Sequence, residues 1–252
     1  MYWDELTSPQ IEQLDRSIPV ILPVSATEQH GYHLPLATDR MIGEHICKNI
    51  NEEIEDEILI LPNISVGCSE HHKDFAGSLS IQHSTMLAQM TDIAECIVEY
   101  GFKNIFVANS HGGNQAIAQT FLETFGYRHP EVNVAFTSWW RIANEEIKNI
   151  QESGPGGVGH AGEFETSLML TIAPHLVHLD KVEERANLST YNWAEADLIS
   201  GSKVSLYRRM NEVTTNGVQG EPKYATKAKG ELLTKKIVEV YVKILRDYRI
   251  DI

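Results

Sequence analysis

Two apolar runs in this chain each feed straight into a loop dense in histidine and carboxylate, and this restricts the fold more than any other feature. Val20-Ile21-Leu22-Pro23-Val24 leads to Glu28-Gln29-His30-Gly31-Tyr32-His33-Leu34-Pro35-Leu36-Ala37-Thr38-Asp39, and a helical pattern then starts near Met41. Asn104-Ile105-Phe106-Val107-Ala108 leads to Asn109-Ser110-His111-Gly112-Gly113-Asn114, and helical periodicity starts again at Gln115. Strands alternating with helices predict an α/β fold, a three-layer α/β/α sandwich around a mostly parallel sheet. In open sheets of this kind the functional crevice lies beyond the carboxyl ends of the strands, where both loops fall.

Candidate strands occupy 19–24, 57–62, 104–109 and 132–137, with a shorter one at 176–179. Helical periodicity covers 9–15, 40–52, 83–100, 115–128, 140–151, 161–173 and 229–247. No repeat or long linker interrupts the pattern. A chain of 252 residues holds one sizeable core, so residues 1–252 are read as a single domain. The breaker cluster Gly154-Pro155-Gly156-Gly157 suits a mobile active-site loop better than a domain boundary. Residues 186–228 are polar and weakly periodic, an excursion onto the surface or toward a neighbouring subunit.

A net charge of −14 argues against a nucleic-acid partner, because a phosphate backbone demands a basic face. Cys47, Cys68 and Cys96 lack paired or CxxC spacing, so neither a disulfide framework nor a cysteine zinc site is expected. No stretch is long enough to span a bilayer and the first residues carry no signal-peptide pattern, so no membrane association is expected and a reducing cytoplasm is the simplest home.

Carboxylate oxygen and imidazole nitrogen suit Zn, Mn and Fe. Glu28 and His30 alternate, so on an extended strand end they point the same way. Asp39 returns to the same place just before a helix. A third segment, Gly157-Val158-Gly159-His160-Ala161-Gly162-Glu163-Phe164-Glu165-Thr166-Ser167, brings a histidine and two carboxylates to a helix start. Any one of these loops alone could be solvated and ordinary. Three together favour a metal site.

With these pieces the chain resembles the creatininase (creatinine amidohydrolase) family of metal-dependent hydrolases. The matching segments are Leu22 to Gly31, Thr38-Asp39, Asn109 to Asn114 and His160 to Ser167, with a weaker match at Gly217-Val218-Gln219-Gly220-Glu221-Pro222 and on to Glu231. The resemblance implies a homohexamer with two divalent metal ions per subunit (Zn, Mn or Fe). It also implies ligand roles for Glu28, His30, Asp39 and His111, with Asp39 bridging the ions. The family pattern at the third segment makes Glu165 the matching carboxylate and puts Glu163 at a variable position. Glu163 then faces the helix dipole or orients a ligand from behind. His160 matches a histidine implied to transfer protons in the substrate pocket; a local helix cap is the plainer reading.

Ser69-Glu70-His71-His72-Lys73-Asp74-Phe75-Ala76-Gly77-Ser78 resembles the family segment that closes over substrate, with Ala76 for Pro and Ser78 for Thr. His72 and Ser78 are thus candidate substrate contacts, or parts of a solvated loop. Trp140 is a candidate pocket wall and Trp139 ordinary core. His33 could be an extra ligand; His45, beside Ile42 and Ile46, reads as a satisfied core histidine.

Two departures stand out. Creatininase proper carries an active-site Glu where this chain has Gly113, and a Trp-Asp pair over creatinine where this chain has Gly156 and Gly157. The leading expectation is therefore a metal-dependent hydrolase that cleaves a C–N bond of a small amide or cyclic amide, but not creatininase itself. The alternatives are a formamide deformylase or cyclic-ketone hydrolase of the same family, or a non-catalytic, metal-stabilised small-molecule binding protein. A nucleotide-binding domain is disfavoured, since the turn at Ser110 to Asn114 lacks the glycine-rich phosphate patterns.

Overall fold

In the computed structural model, which describes residues 1–183, 187–188 and 190–249, four strands form one parallel sheet. They are β1 (Val20–Val24), β2 (Leu59–Ile60), β3 (Asn104–Asn109) and β4 (Asn133–Ser138), in the order β2-β1-β3-β4. Val20 aligns with Ile105 and Val24 with Asn109, so the strands end level with one another. Parallel neighbours need crossover helices, and those helices cover both faces.

Side chains on the strands divide by parity. Val20, Leu22, Val24, Ile105 and Val107 enter one apolar cluster, while Ile21 and Phe106 enter the other. The first cluster is closed by α1 (Ser8–Gln13), α3 (His83–Glu99) and α4 (Gln115–Arg128). The second is closed by α2 (Thr38–Ile54), α5 (Trp139–Ile142), α6 (Asn144–Ile147), α7 (Glu163–Ile172) and α9 (Lys227–Asp247), with α8 (Met210–Val213) out in the 186–228 excursion. This is the expected three-layer α/β/α sandwich. Gly230 lets α9 approach α7, because a Cβ there would fall 2.0 Å from the Ser167 carbonyl oxygen.

Three expectations are corrected. Residues 176–179 form no strand; 3-10 turns at Pro174–Leu176 and Leu179–Lys181 stand there, and Leu176 and Val177 pack on the helical layer instead of extending the sheet. The helix expected over 140–151 breaks into α5, α6 and a 3-10 turn at Lys148–Ile150, with Ala143 out of helical geometry at ψ 20°. The strand at 57–62 shortens to Leu59–Ile60, since a 3-10 turn takes Glu55–Glu57. Residues 186 and 189 of the polar excursion lie outside the described residues; the rest carries α8, a 3-10 turn at Pro222–Tyr224 and a bridge from Asn187 to Thr214. Among the described residues, no helix is long and apolar enough to cross a membrane.

A candidate metal centre beyond the strand ends

Each functional side chain is delivered by local backbone chemistry. Asn109, the last residue of β3, accepts the His111 N–H at 3.1 Å and donates to the His111 carbonyl at 2.7 Å, clamping the turn. Asn114 donates to the Ser25 carbonyl and accepts the Cys68 N–H, tying three loops together. Asp39 and Glu165 sit in the first turns of α2 and α7, where the positive helix end favours a carboxylate. Ala161 takes a left-handed conformation (φ 55°), costing on the order of 1–2 kcal/mol for a residue with a Cβ, and thereby aims its N–H at Glu165 Oε2, 2.6 Å away.

Glu28, His30, Asp39, His111 and Glu165, all buried, converge at one place. His30 Nε2 lies 3.2 Å from Asp39 Oδ1 and 3.8 Å from Glu165 Oε2. His111 Nδ1 lies 3.0 Å from Asp39 Oδ2 and 3.3 Å from Glu28 Oε1. The far nitrogen of each histidine is occupied: His30 Nδ1–H donates to the Glu28 carbonyl at 3.1 Å, and His111 Nε2–H to the Cys68 carbonyl at 3.2 Å. Backbone carbonyls behind metal-binding histidines fix tautomer and ring orientation in this way.

The convergence is not a hydrogen-bond network. His30 Nε2, Asp39 Oδ2 and Glu28 Oε2 are buried without a hydrogen-bond partner, although nitrogens and oxygens crowd around them. Buried polar atoms in proteins are almost always paired, so donors aimed at a common point need a shared partner. Glu28, His30 and Asp39 offer ligand atoms all within 4.8 Å of one another, as do His30, His160 and Glu165. A divalent cation fits this donor set.

Electrostatics agree. Burial opposes the charge on Glu28, yet His111 and His72 hold its carboxyl well below the usual range. Burial likewise opposes charge on His30, but Asp39 and Glu165 raise it to about 9. His111 is raised well above its usual value by Glu28 and Asp39, against the effect of burial. Burial pushes Glu165 up to about 7, with His30 pulling the other way. The chain thus concentrates charge of both signs in a dry place.

His160 stands at the edge of this cluster, its ring 4.2 Å from His30. Its Nε2–H donates to the Gln29 carbonyl at 2.7 Å, leaving Nδ1 facing Glu28 Oε1 at 3.6 Å. Burial, with His30 nearby, holds it well below its usual pKa, so the ring is neutral. His72 is also neutral, pushed down to about 2 by burial, with its Nε2 3.3 Å from Glu28 Oε1.

The cavity over the cluster measures about 240 Å³ and is lined by His72, His160, Asp197, Leu198, Met210 and Gln219 among others. Trp140 does not line it; the ring is buried in the core, edge-on to Trp139 at 5.3 Å. Ser78 accepts the Gln29 N–H at 3.0 Å and supports the loop from behind. His33 bonds Thr166 and His45 bonds Thr234, both away from the cluster. The Gly154 to Gly157 loop is packed against the Gly217 to Glu221 segment, with Glu221 N–H bonded to the Gly157 carbonyl. Gly156 N–H donates to Asp197 Oδ2, so a carboxylate from the 186–228 excursion stands beside the position where creatininase proper has its Trp-Asp pair.

Sequence reasoning missed Gln29 and His71. Gln29 Oε1 accepts the Gly31 N–H, while Nε2 donates to the Gly217 carbonyl and to His72 Nδ1 at 2.8 Å. It locks two pocket histidines through one side chain, and nothing in its neighbours' identities signals that. His71 had a signal, its place beside His72.

Fold and site together define an α/β hydrolase-type enzyme whose chemistry is built on a histidine–carboxylate metal centre. Residues 4–245 match the family model "Creatininase: Creatinine amidohydrolase". The chain is 26% identical to creatinine amidohydrolase of Pseudomonas putida, over 90% of this chain and 88% of that one. It is 28% identical to the mycofactocin precursor peptide peptidase of Mycobacterium tuberculosis, over 93% and 88%. A solved structure titled "Creatininase Mn" superposes with a TM-score of 0.80 at 24% identity, covering 98% of this chain and 97% of that one. The chain belongs to the creatininase family, and its class is that of a hydrolase acting on carbon–nitrogen bonds.

Proposed function

We propose that this protein hydrolyses a C–N bond of a small amide or cyclic amide, using two divalent ions held by Glu28, His30, Asp39, His111 and Glu165. One observation carries the reading: orphaned, buried donors from three loops point at a common place beneath a small cavity. The metals named in the titles of related creatininase structures, Mn and Zn-Zn, support divalent ions of this kind. Fe also suits mixed nitrogen and oxygen ligands.

When bound, such ions supply a water acidified toward neutrality and a polarised scissile carbonyl. The protein does the rest. Asp39 offers one oxygen to each half of the centre. His160, neutral and anchored through Nε2–H, keeps Nδ1 free to accept a proton from the attacking water and pass it to the leaving nitrogen. His72 Nε2–H lies within reach of Glu28 Oε1 and keeps that carboxylate oriented. A volume of about 240 Å³ suits a small substrate. Gly156 and Gly157 offer no aromatic face, which argues for a substrate other than creatinine. A cytoplasmic homohexamer completes the reading.

The test is turnover of a panel of small amides, lactams and formamides by the Zn- or Mn-loaded protein. Hydrolysis that is lost on chelation and restored by metal is expected. Binding of a panel member with no hydrolysis of any would overturn the reading in favour of a non-catalytic binding protein.

A further inference from the structure

His71 lies outside the five residues assigned to the metals. It ends neither in solvent nor in a hydrogen bond among the described residues. Its ring is nearly parallel to that of His111, with centroids 5.9 Å apart and planes at 17°, and meets the edge of His72 at 4.3 Å. A ring nitrogen of His71 and ligand atoms of Glu28 and His111 all lie within 4.8 Å of one another.

Gly113 makes this placement possible. A Cβ at 113 would stand 2.9 Å from His71 Cε1, 2.5 Å from His111 Nε2 and 2.2 Å from the Cys68 carbonyl oxygen. Those separations exclude any side chain at that position while His71 stays where it is. The lack of a side chain at 113 and the inward ring of His71 are therefore one packing solution.

We propose that His71 is a further metal ligand, donating an imidazole nitrogen to the ion held by Glu28 and His111. The proposal rests on the two-ion reading above. It gives the two halves of the centre different donor counts. Glu28, Asp39, His71 and His111 offer four donors to one ion, the number that fills a closed zinc shell, whereas His30, Asp39 and Glu165 offer three to the other. Catalytic sites keep a position open, and the three-donor half is the one whose His30 and Glu165 gather with His160. His71 thus assigns holding to one ion and water activation to the other.

The experiment compares the Zn-loaded wild type with His71→Ala and His71→Gln, reading the two zinc dissociation constants by competition with a chromophoric chelator. One constant weakened by about tenfold or more in both variants, with the other unchanged, is expected. Two unchanged constants overturn the role of His71 and leave the two-ion reading intact. A wild type that takes up no zinc overturns both. A second readout needs no variant. In Co-loaded wild-type protein a paramagnetically shifted imidazole resonance assigned to His71 is expected, and its absence overturns the assignment.

Discussion

Lys229 Nζ donates to Glu163 Oε1 at 2.6 Å, an ion pair that joins α9 to the start of α7. The same carboxylate accepts the N–H groups of Glu152 and Ser153. Glu163 therefore points away from the candidate metals, while Glu165, two residues on, points at His30. Sequence spacing alone left the two carboxylates open to exchange of roles; their partners separate them.

The first prediction compares these two residues. Glu163→Gln removes a charge from a buried pair and should cost about 1.5–3 kcal/mol, more than the 0.3–1 kcal/mol or so of a helix-dipole contact, while both ions stay bound. Glu165→Gln should keep the fold and release the ion beside His30, with turnover at least about a hundredfold lower. Metal content and thermal midpoint, measured on both variants, separate the outcomes. Metal lost from Glu163→Gln and kept in Glu165→Gln would reverse the assignment.

Asp39 serves both halves, with Oδ1 toward His30 and Oδ2 toward His111. Asp39→Asn should therefore weaken both ions, unlike any other single ligand change. Two-site binding curves report this directly. Loss of one ion only would show that Asp39 does not bridge.

The pH dependence of metal uptake follows from His30 and Glu165. His30 is raised from its usual 6.5 to about 9, so in the metal-free protein it carries a proton at pH 7, which an incoming ion must displace. Glu165, raised to about 7, has the same sign. Both folded-state values lie above the unfolded ones. These protons thus stabilise the metal-free fold at low pH, fully below the unfolded values, and that contribution is lost as pH rises through about 7 for Glu165 and about 9 for His30. Metal affinity runs the other way and should rise by about tenfold per pH unit for each proton released, levelling off above about 9. Calorimetric titrations in buffers of different ionisation enthalpy count the protons. Uptake without proton release between pH 6 and 8 would contradict the electrostatics, a window set by those two groups.

Gly230→Ala tests the packing of the helical layer. Its Cβ would meet the Ser167 carbonyl at 2.0 Å and Thr171 Oγ1 at 2.3 Å. Overpacking of this kind costs about 1–3 kcal/mol, which outweighs the gain of up to about 1 kcal/mol in helix propensity. A lower thermal midpoint is expected; an unchanged or higher one would show that α9 and α7 yield easily.

Much of this layout was legible because strand parity and helix periodicity are local signals. Val20, Leu22 and Val24 against Ile21 show which face each residue serves, and the loops that follow Val24 and Asn109 lie where a parallel sheet puts its crevice. The missed features depend on contacts distant in sequence. Gln29 is a hub only because Gly217 and His72 come within reach of its amide. Trp140 turns into the core because α5 begins immediately after β4 and rests on α9. His71 becomes central only through a glycine more than forty residues away in sequence. Residues 176–179 carry strand-like composition, but the helical layer offers Leu176 and Val177 a better surface than the edge of β4.

The most direct test of the central claim is the metal content of the purified protein after incubation with Zn or Mn and removal of excess ion. About two ions per chain are predicted, falling to below about one in Asp39→Asn. Fewer than about one ion per wild-type chain would contradict the account, because the orphaned donors of Glu28, His30 and Asp39 would then have no partner to explain them.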